Sequence, residues 1–141
     1  MKTLMILLCL LNSTITLGGT IDPGTPDSKY IEYGKKHRCV IRVLCSSDKG
    51  TAFGSGVLVK PRWIVTAAHV VNKSKGIKIV LDNKKEIASD ATFIPKEWTS
   101  EKFGYYDLAL CRLEEDANLD FYPDLYENKD EEGKICSLSG F

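Results

Sequence analysis

Few side chains in this 141-residue chain are suited to moving protons or binding metal: two histidines, His37 and His69, and five cysteines. An imidazole titrates near neutrality, so it can accept a proton and return it within one reaction cycle. Thiols hold zinc or, in an oxidising compartment, pair as disulfides. The cysteine spacings contain no zinc pattern, and neither a metal nor a cofactor is expected. His37 stands among Lys35, Lys36 and Arg38 and reads as a surface side chain. His69 closes the run Thr66-Ala67-Ala68-His69, and Asp107 opens the apolar run Leu108-Ala109-Leu110-Cys111. Taken alone, the first is most simply a satisfied core histidine and the second a residue that starts a strand.

The elements that must position these residues read as strands. Cys39 to Leu44, Thr51 to Phe53, Gly56 to Val59, Trp63 to Thr66, Ile77 to Leu81, Glu86 to Ile94 and Leu108 to Leu113 are β-rich runs separated by polar turns. Ser46 to Gly50 is expected to be a turn, and Gly54-Ser55 is expected to break the second run. Many short strands without a competing helical period indicate an all-β barrel or sandwich. The composition, 43% hydrophobic and 27% charged, is that of a globular domain. Nineteen basic and nineteen acidic side chains cancel, which removes the electrostatic reason to expect nucleic acid or an anionic membrane as partner.

Residues 1–18 have the three parts of a secretory signal peptide: a basic start at Lys2, the apolar run Leu4 to Leu11, and small residues at Thr16 and Gly18. The run is too short to span a bilayer, so no membrane association is expected once the signal is removed. Cys9 leaves with it, and Cys39, Cys45, Cys111 and Cys136 remain as an even set that invites a disulfide reading. Cys39 and Cys45 lie six residues apart on one extended run, roughly 20 Å, too far to pair with each other.

The stretch from Phe53 to Val70, with Gly54-Ser55-Gly56, a Trp63-led strand and Thr66-Ala67-Ala68-His69, resembles the first catalytic motif of the chymotrypsin/trypsin family of serine proteases. Tyr106-Asp107-Leu108-Ala109-Leu110 resembles the family's aspartate box, and Ile135-Cys136-Ser137-Leu138-Ser139-Gly140-Phe141 the segment that begins its second barrel. Three motifs in order make the match specific. The resemblance implies a trypsin-like Greek-key β-barrel, the first of two. It implies His69 as general base and then general acid, and Asp107 as the carboxylate that fixes the imidazole tautomer. Expected divisions are a signal peptide at 1–18, an N-terminal extension at 19–37, the first barrel at 38–113, and a crossover segment leading to the second barrel at 114–141.

The chain also departs from the family. It contains no Gly-Asp-Ser-Gly-Gly box, so the nucleophile and the oxyanion hole built around it are missing, and the chain as written cannot carry out acyl transfer. Most family members have a disulfide bracketing the catalytic histidine; the matching positions here are Gly54 and Val70. Losing such a bridge costs roughly 2–5 kcal/mol, which packing must offset. Cys136 matches a position whose family partner lies beyond Phe141 and is expected to be unpaired, while Cys111 reads as a buried thiol. Ile21 echoes the family's activated N-terminus but comes after Gly19-Thr20 with no basic residue, so tryptic activation there is not expected.

The leading functional reading is an incomplete N-terminal part of a secreted, extracellular trypsin-like serine endopeptidase, with polypeptide substrates and proteinaceous inhibitors as partners. The alternative is a short non-catalytic homologue acting as a binding module. Asn72-Lys73-Ser74 is the one glycan acceptor sequon in the mature chain, on a polar stretch that reads as a loop.

Overall fold

Inward-facing side chains recur at every second position along the chain's strands, the period that a pleated strand imposes on a sheet with one buried face. The computed structural model describes residues 22–100, 105–130, 132–135 and 139–141. Six strands come after one helix: α1 (Asp27–Gly34), β1 (Val40–Ser47), β2 (Gly50–Lys60), β3 (Trp63–Thr66), then the one-turn helix α2 (Ala68–Val71), β4 (Gly76–Val80), β5 (Glu86–Phe93) and β6 (Ala109–Leu113). They close into an antiparallel barrel in the order β1-β2-β3-β6-β5-β4, with β4 pairing back onto β1. This is the all-β barrel that the strand pattern and the family resemblance imply.

The barrel interior is filled by Ile41, Val43 and Cys45 of β1, Leu58 of β2, Ile64 of β3, Ile77 and Ile79 of β4, Ile87 of β5, and Ala109, Cys111 and Leu113 of β6. Branched aliphatic side chains dominate, as a narrow barrel requires. Gly56 makes room for them: a Cβ there would lie 2.9 Å from Val43 Cγ2 and 3.2 Å from Ile41 Cδ1. Outside, β5 carries a register shift between Ser89 and Ala91. Beside it, Asp90 accepts a hydrogen bond from Arg112 Nε at 2.8 Å, which is the main reason its carboxyl is held below the usual aspartate value. Arg62 spans to the same strand end, donating to the carbonyls of Leu113 at 2.8 Å and Glu114 at 2.9 Å.

Several local expectations are corrected. β1 runs on to Ser47 and pairs with Gly50, so the turn is only Asp48-Lys49, and Gly50 takes φ 121° to close it. Gly54-Ser55 does not interrupt β2, because both residues stay in register with β1, Val43 opposite Gly54 and Arg42 opposite Ser55. The helix α1 is not legible as a periodic pattern: none of its residues is buried, and it starts on Pro26-Asp27, a proline lead-in with a carboxylate in the first turn. Among the described residues, backbone contacts place 22–31 in one unit and those from Glu32 onward in another. His37 is half-buried rather than a plain surface side chain, its ring 4.9 Å from that of Tyr33. Cys39, Cys45 and Cys111 are all buried free thiols, so the disulfide reading fails for these three. Burial pushes the Cys45 and Cys111 thiols above their ordinary value, keeping them un-ionised and unreactive. The signal peptide, Ile21 and Cys136 lie outside the described residues.

Candidate active site

The pairing of β3 with β6 sets the site. Thr66, the last residue of β3, is opposite Ala109, the first residue of β6. The segment leaving β3 and the segment entering β6 therefore meet at the same end of the barrel. His69 lies three residues after Thr66 and Asp107 two residues before Ala109. Thr66 anchors this end: it is buried, and its hydroxyl donates to the Ser55 carbonyl at 2.8 Å. Ser55 in turn accepts the Phe141 backbone N–H on its hydroxyl at 2.8 Å, and the Phe141 ring lies 5.2 Å from the Arg42 guanidinium carbon.

Chain direction then changes through α2. Ala67 occupies its N-cap in an extended conformation and supplies no side-chain cap. Ala68 and Val71 are buried against the barrel. The cap comes instead from Asp107. Its Oδ1 accepts the His69 backbone N–H at 2.8 Å and its Oδ2 contacts His69 Nδ1 at 2.6 Å. The hydrogen bond with the His69 ring is the largest cause holding the Asp107 carboxyl below its usual value; the bond from the His69 backbone adds to it, and burial opposes both. Because an ionised carboxylate can only accept, the Nδ1 contact places the ring proton on Nδ1. In the neutral ring the basic lone pair is then on Nε2. The Asp107 side chain is 22% exposed and that of His69 52%, so the carboxylate is the sheltered member and the imidazole the presented one.

Asp107 is itself presented by an unusual backbone. Tyr106 adopts φ 55°, and the Leu108 N–H donates to the Tyr106 carbonyl at 2.7 Å, folding the chain tightly about Asp107. A left-handed tyrosine carries strain that surrounding structure must hold. Nothing in the sequence signals it, since the residues that favour this conformation are glycine, asparagine and aspartate. The geometry thus brings together His69 and Asp107. Asn72, the sequon residue, ends α2 in an extended conformation, half-buried, its N–H bonded to the Ala68 carbonyl at 2.8 Å. Among the described residues no three His, Cys, Asp or Glu side chains converge on a metal position, and no helix is long and apolar enough to cross a membrane.

The closed six-stranded barrel matches one of the two barrels of a trypsin-like protease. The family model described as Trypsin matches residues 32–141, and the chain belongs to that family. Chymotrypsin-like elastase family member 1 of Bos taurus is 30% identical over 80 residues, covering 50% of this chain and 30% of the relative. Two solved structures share the fold. One, titled HL collagenase, has a TM-score of 0.51 at 16% identity, covering 56% of this chain and 37% of its own. The other, titled GrC, has a TM-score of 0.54 at 17% identity, covering 61% and 41%. The chain therefore spans about a third of the length of the elastase relative it matches.

Proposed function

We propose that this chain is the N-terminal part of a secreted trypsin-like serine endopeptidase in which His69 transfers protons and Asp107 orients it. The observation that carries the reading is the double engagement of His69 by Asp107, 2.8 Å to the backbone N–H and 2.6 Å to Nδ1. One carboxylate fixes both the position of the residue and the tautomer of its ring. A binding module has no use for that arrangement. In the complete protein a serine hydroxyl would give its proton to Nε2 as it attacks a peptide carbonyl. The imidazolium so formed is stabilised by Asp107 and then protonates the leaving amine.

The nucleophile, the oxyanion hole and the surface that selects a side chain would come from sequence beyond these 141 residues. The missing Gly-Asp-Ser-Gly-Gly box and the 30% coverage of the elastase relative support that. Residues 1–18 direct the protein to secretion, polypeptides are its substrates, and protein inhibitors that occupy the cleft are its natural antagonists. Asn72 is a glycan acceptor at the end of α2.

The test is expression of the complete reading frame. The reading requires a serine that a fluorophosphonate labels, with peptide-ester turnover abolished in His69→Ala. A message that stops directly after Phe141, or turnover that survives His69→Ala, overturns it; the first outcome would promote the binding-module alternative.

A further inference from the structure

Gly54 sits inside β2, where glycine weakens a strand by offering neither a side chain to pack nor a restricted backbone. Its φ lies outside the left-handed region, so its backbone would accept other residues. What excludes a side chain is space. A Cβ at position 54 would lie 2.5 Å from Val70 Cγ1, 3.0 Å from Val70 Cγ2 and 3.4 Å from Val70 Cβ. Rotation about χ1 offers no escape: two methyls share three staggered positions, so at least one stays in a crowded slot, and a helical valine is stiff besides. The Val70 isopropyl group therefore fills the notch that the missing side chain of Gly54 leaves.

Val70 comes directly after His69 on α2, a single turn with no side-chain cap of its own. Contacts that hold that turn include Ala68 and Val71 buried against the barrel, the Asp107 carboxylate on the His69 N–H, and Val70 in the Gly54 notch. The first two fix its depth and one end. The third, on the flank facing β2, opposes rotation of the turn about its own axis, the motion that would swing the His69 ring away from Asp107. We propose that Gly54 and Val70 form a shape-matched latch that sets the orientation of His69, with both acting as positioning residues. The role rests on the reading of His69 as the proton-transfer group, but the latch itself is a property of this chain and is measurable without a nucleophile.

The pair occupies the two positions that the family resemblance assigns to a bracketing disulfide. Built on the Gly54 backbone, a Cβ comes 3.4 Å from Val70 Cβ, just under the roughly 3.5–4.5 Å that a disulfide spans between Cβ atoms. A van der Waals knob-in-notch thus does by shape what a covalent bond could do there.

The test is nuclear magnetic resonance of the full chain, isotopically labelled, reading the proton that His69 Nδ1 shares with Asp107 and the Asp107 carboxyl titration. Gly54→Ala needs a shift of about 1 Å at Val70 to reach ordinary contact. It is expected to lose the shared-proton resonance and to move the Asp107 titration up toward 3.8, its ordinary value, while the barrel methyls stay dispersed. Val70→Ala, which empties the notch, is expected to broaden the same resonance. Gly54→Ala/Val70→Ala, with two Cβ atoms in ordinary contact, and Gly54→Cys/Val70→Cys, oxidised, are expected to restore it.

Unchanged His69 signals in Gly54→Ala or Val70→Ala overturn the latch, as does a double alanine variant that regains stability without regaining the resonance. If Gly54→Ala fails to fold, Val70→Ala and the two double variants decide. A complete protein that proves not to be a peptidase would leave these spectra, and the latch, unaffected.

Discussion

Asp107→Asn separates geometry from proton placement. The aspartate uses both oxygens, Oδ1 on the His69 N–H at 2.8 Å and Oδ2 on Nδ1 at 2.6 Å. Asparagine has one carbonyl oxygen and one amide nitrogen to offer. Placing the NH₂ group against the His69 backbone N–H would set donor against donor, so the amide must keep its oxygen there and direct its nitrogen at Nδ1. Nδ1 then has to accept, which moves the ring proton to Nε2, the atom that should take the serine proton. Side-chain shape hardly changes and the α2 cap survives, so substrate affinity should stay near normal. On the proposed function, turnover of the complete protein should fall by on the order of 10⁴-fold, the family precedent for this change, equivalent to about 5 kcal/mol of transition-state stabilisation. The tautomer switch is readable without turnover, because protonated and unprotonated imidazole nitrogens have well-separated ¹⁵N shifts. The full chain should show Nδ1 protonated with aspartate and Nε2 protonated with asparagine. An unchanged tautomer in Asp107→Asn would refute the reasoning, whatever the activity does.

Gly56→Ala places a methyl 2.9 Å from Val43 Cγ2 and 3.3 Å from the Val65 carbonyl. Urea unfolding should show a loss of about 1–3 kcal/mol, the usual range for overpacking. Tyr106 is exposed and strained at φ 55°, so Tyr106→Gly should cost little or raise the melting temperature, whereas Tyr106→Val should lower it, since a β-branched residue is poorly suited to that backbone. The Asp107 carboxyl is held below its ordinary value of 3.8. Its contact with His69 therefore stabilises the fold fully above that pH and is lost as the pH falls through the lowered folded value. A difference in stability between the wild-type chain and Asp107→Asn that shrinks on acidification below about 4 is the expected signature, measured by denaturant titration across pH. Expression in a secretory host should give a chain whose mass drops on treatment with an amide-cleaving glycosidase. Asn72→Gln should abolish that drop, and an unchanged mass for the unmutated chain would mean the sequon is unused.

The parts of this protein legible in its sequence are those fixed over a few neighbouring residues. Alternation in Ile41-Arg42-Val43-Leu44-Cys45 and in Ala109-Leu110-Cys111-Arg112-Leu113 marks one face of each strand for burial, because the pleat sends successive side chains to opposite sides. Enough such strands without a helical period already imply a barrel or sandwich. The His69 and Asp107 boxes resemble a family pattern in the sequence, and the fold brings the two residues into contact. Features that depend on partners distant in sequence are not legible there. Gly54-Ser55 looks like a break until β1 lies alongside and supplies its hydrogen bonds. The even cysteine set suggests bridges until the barrel buries Cys45 and Cys111 among aliphatic side chains as free thiols. α1 has no buried face to write a period into the sequence. Tyr106 is held left-handed by the fold against its own preference, and the space that Val70 denies to position 54 exists only once α2 is laid on β2. Local chemistry determines which residues can face a core; only chain closure, which joins segments tens of residues apart, decides which atoms meet there and hence that Asp107 reaches both the backbone nitrogen and Nδ1 of His69.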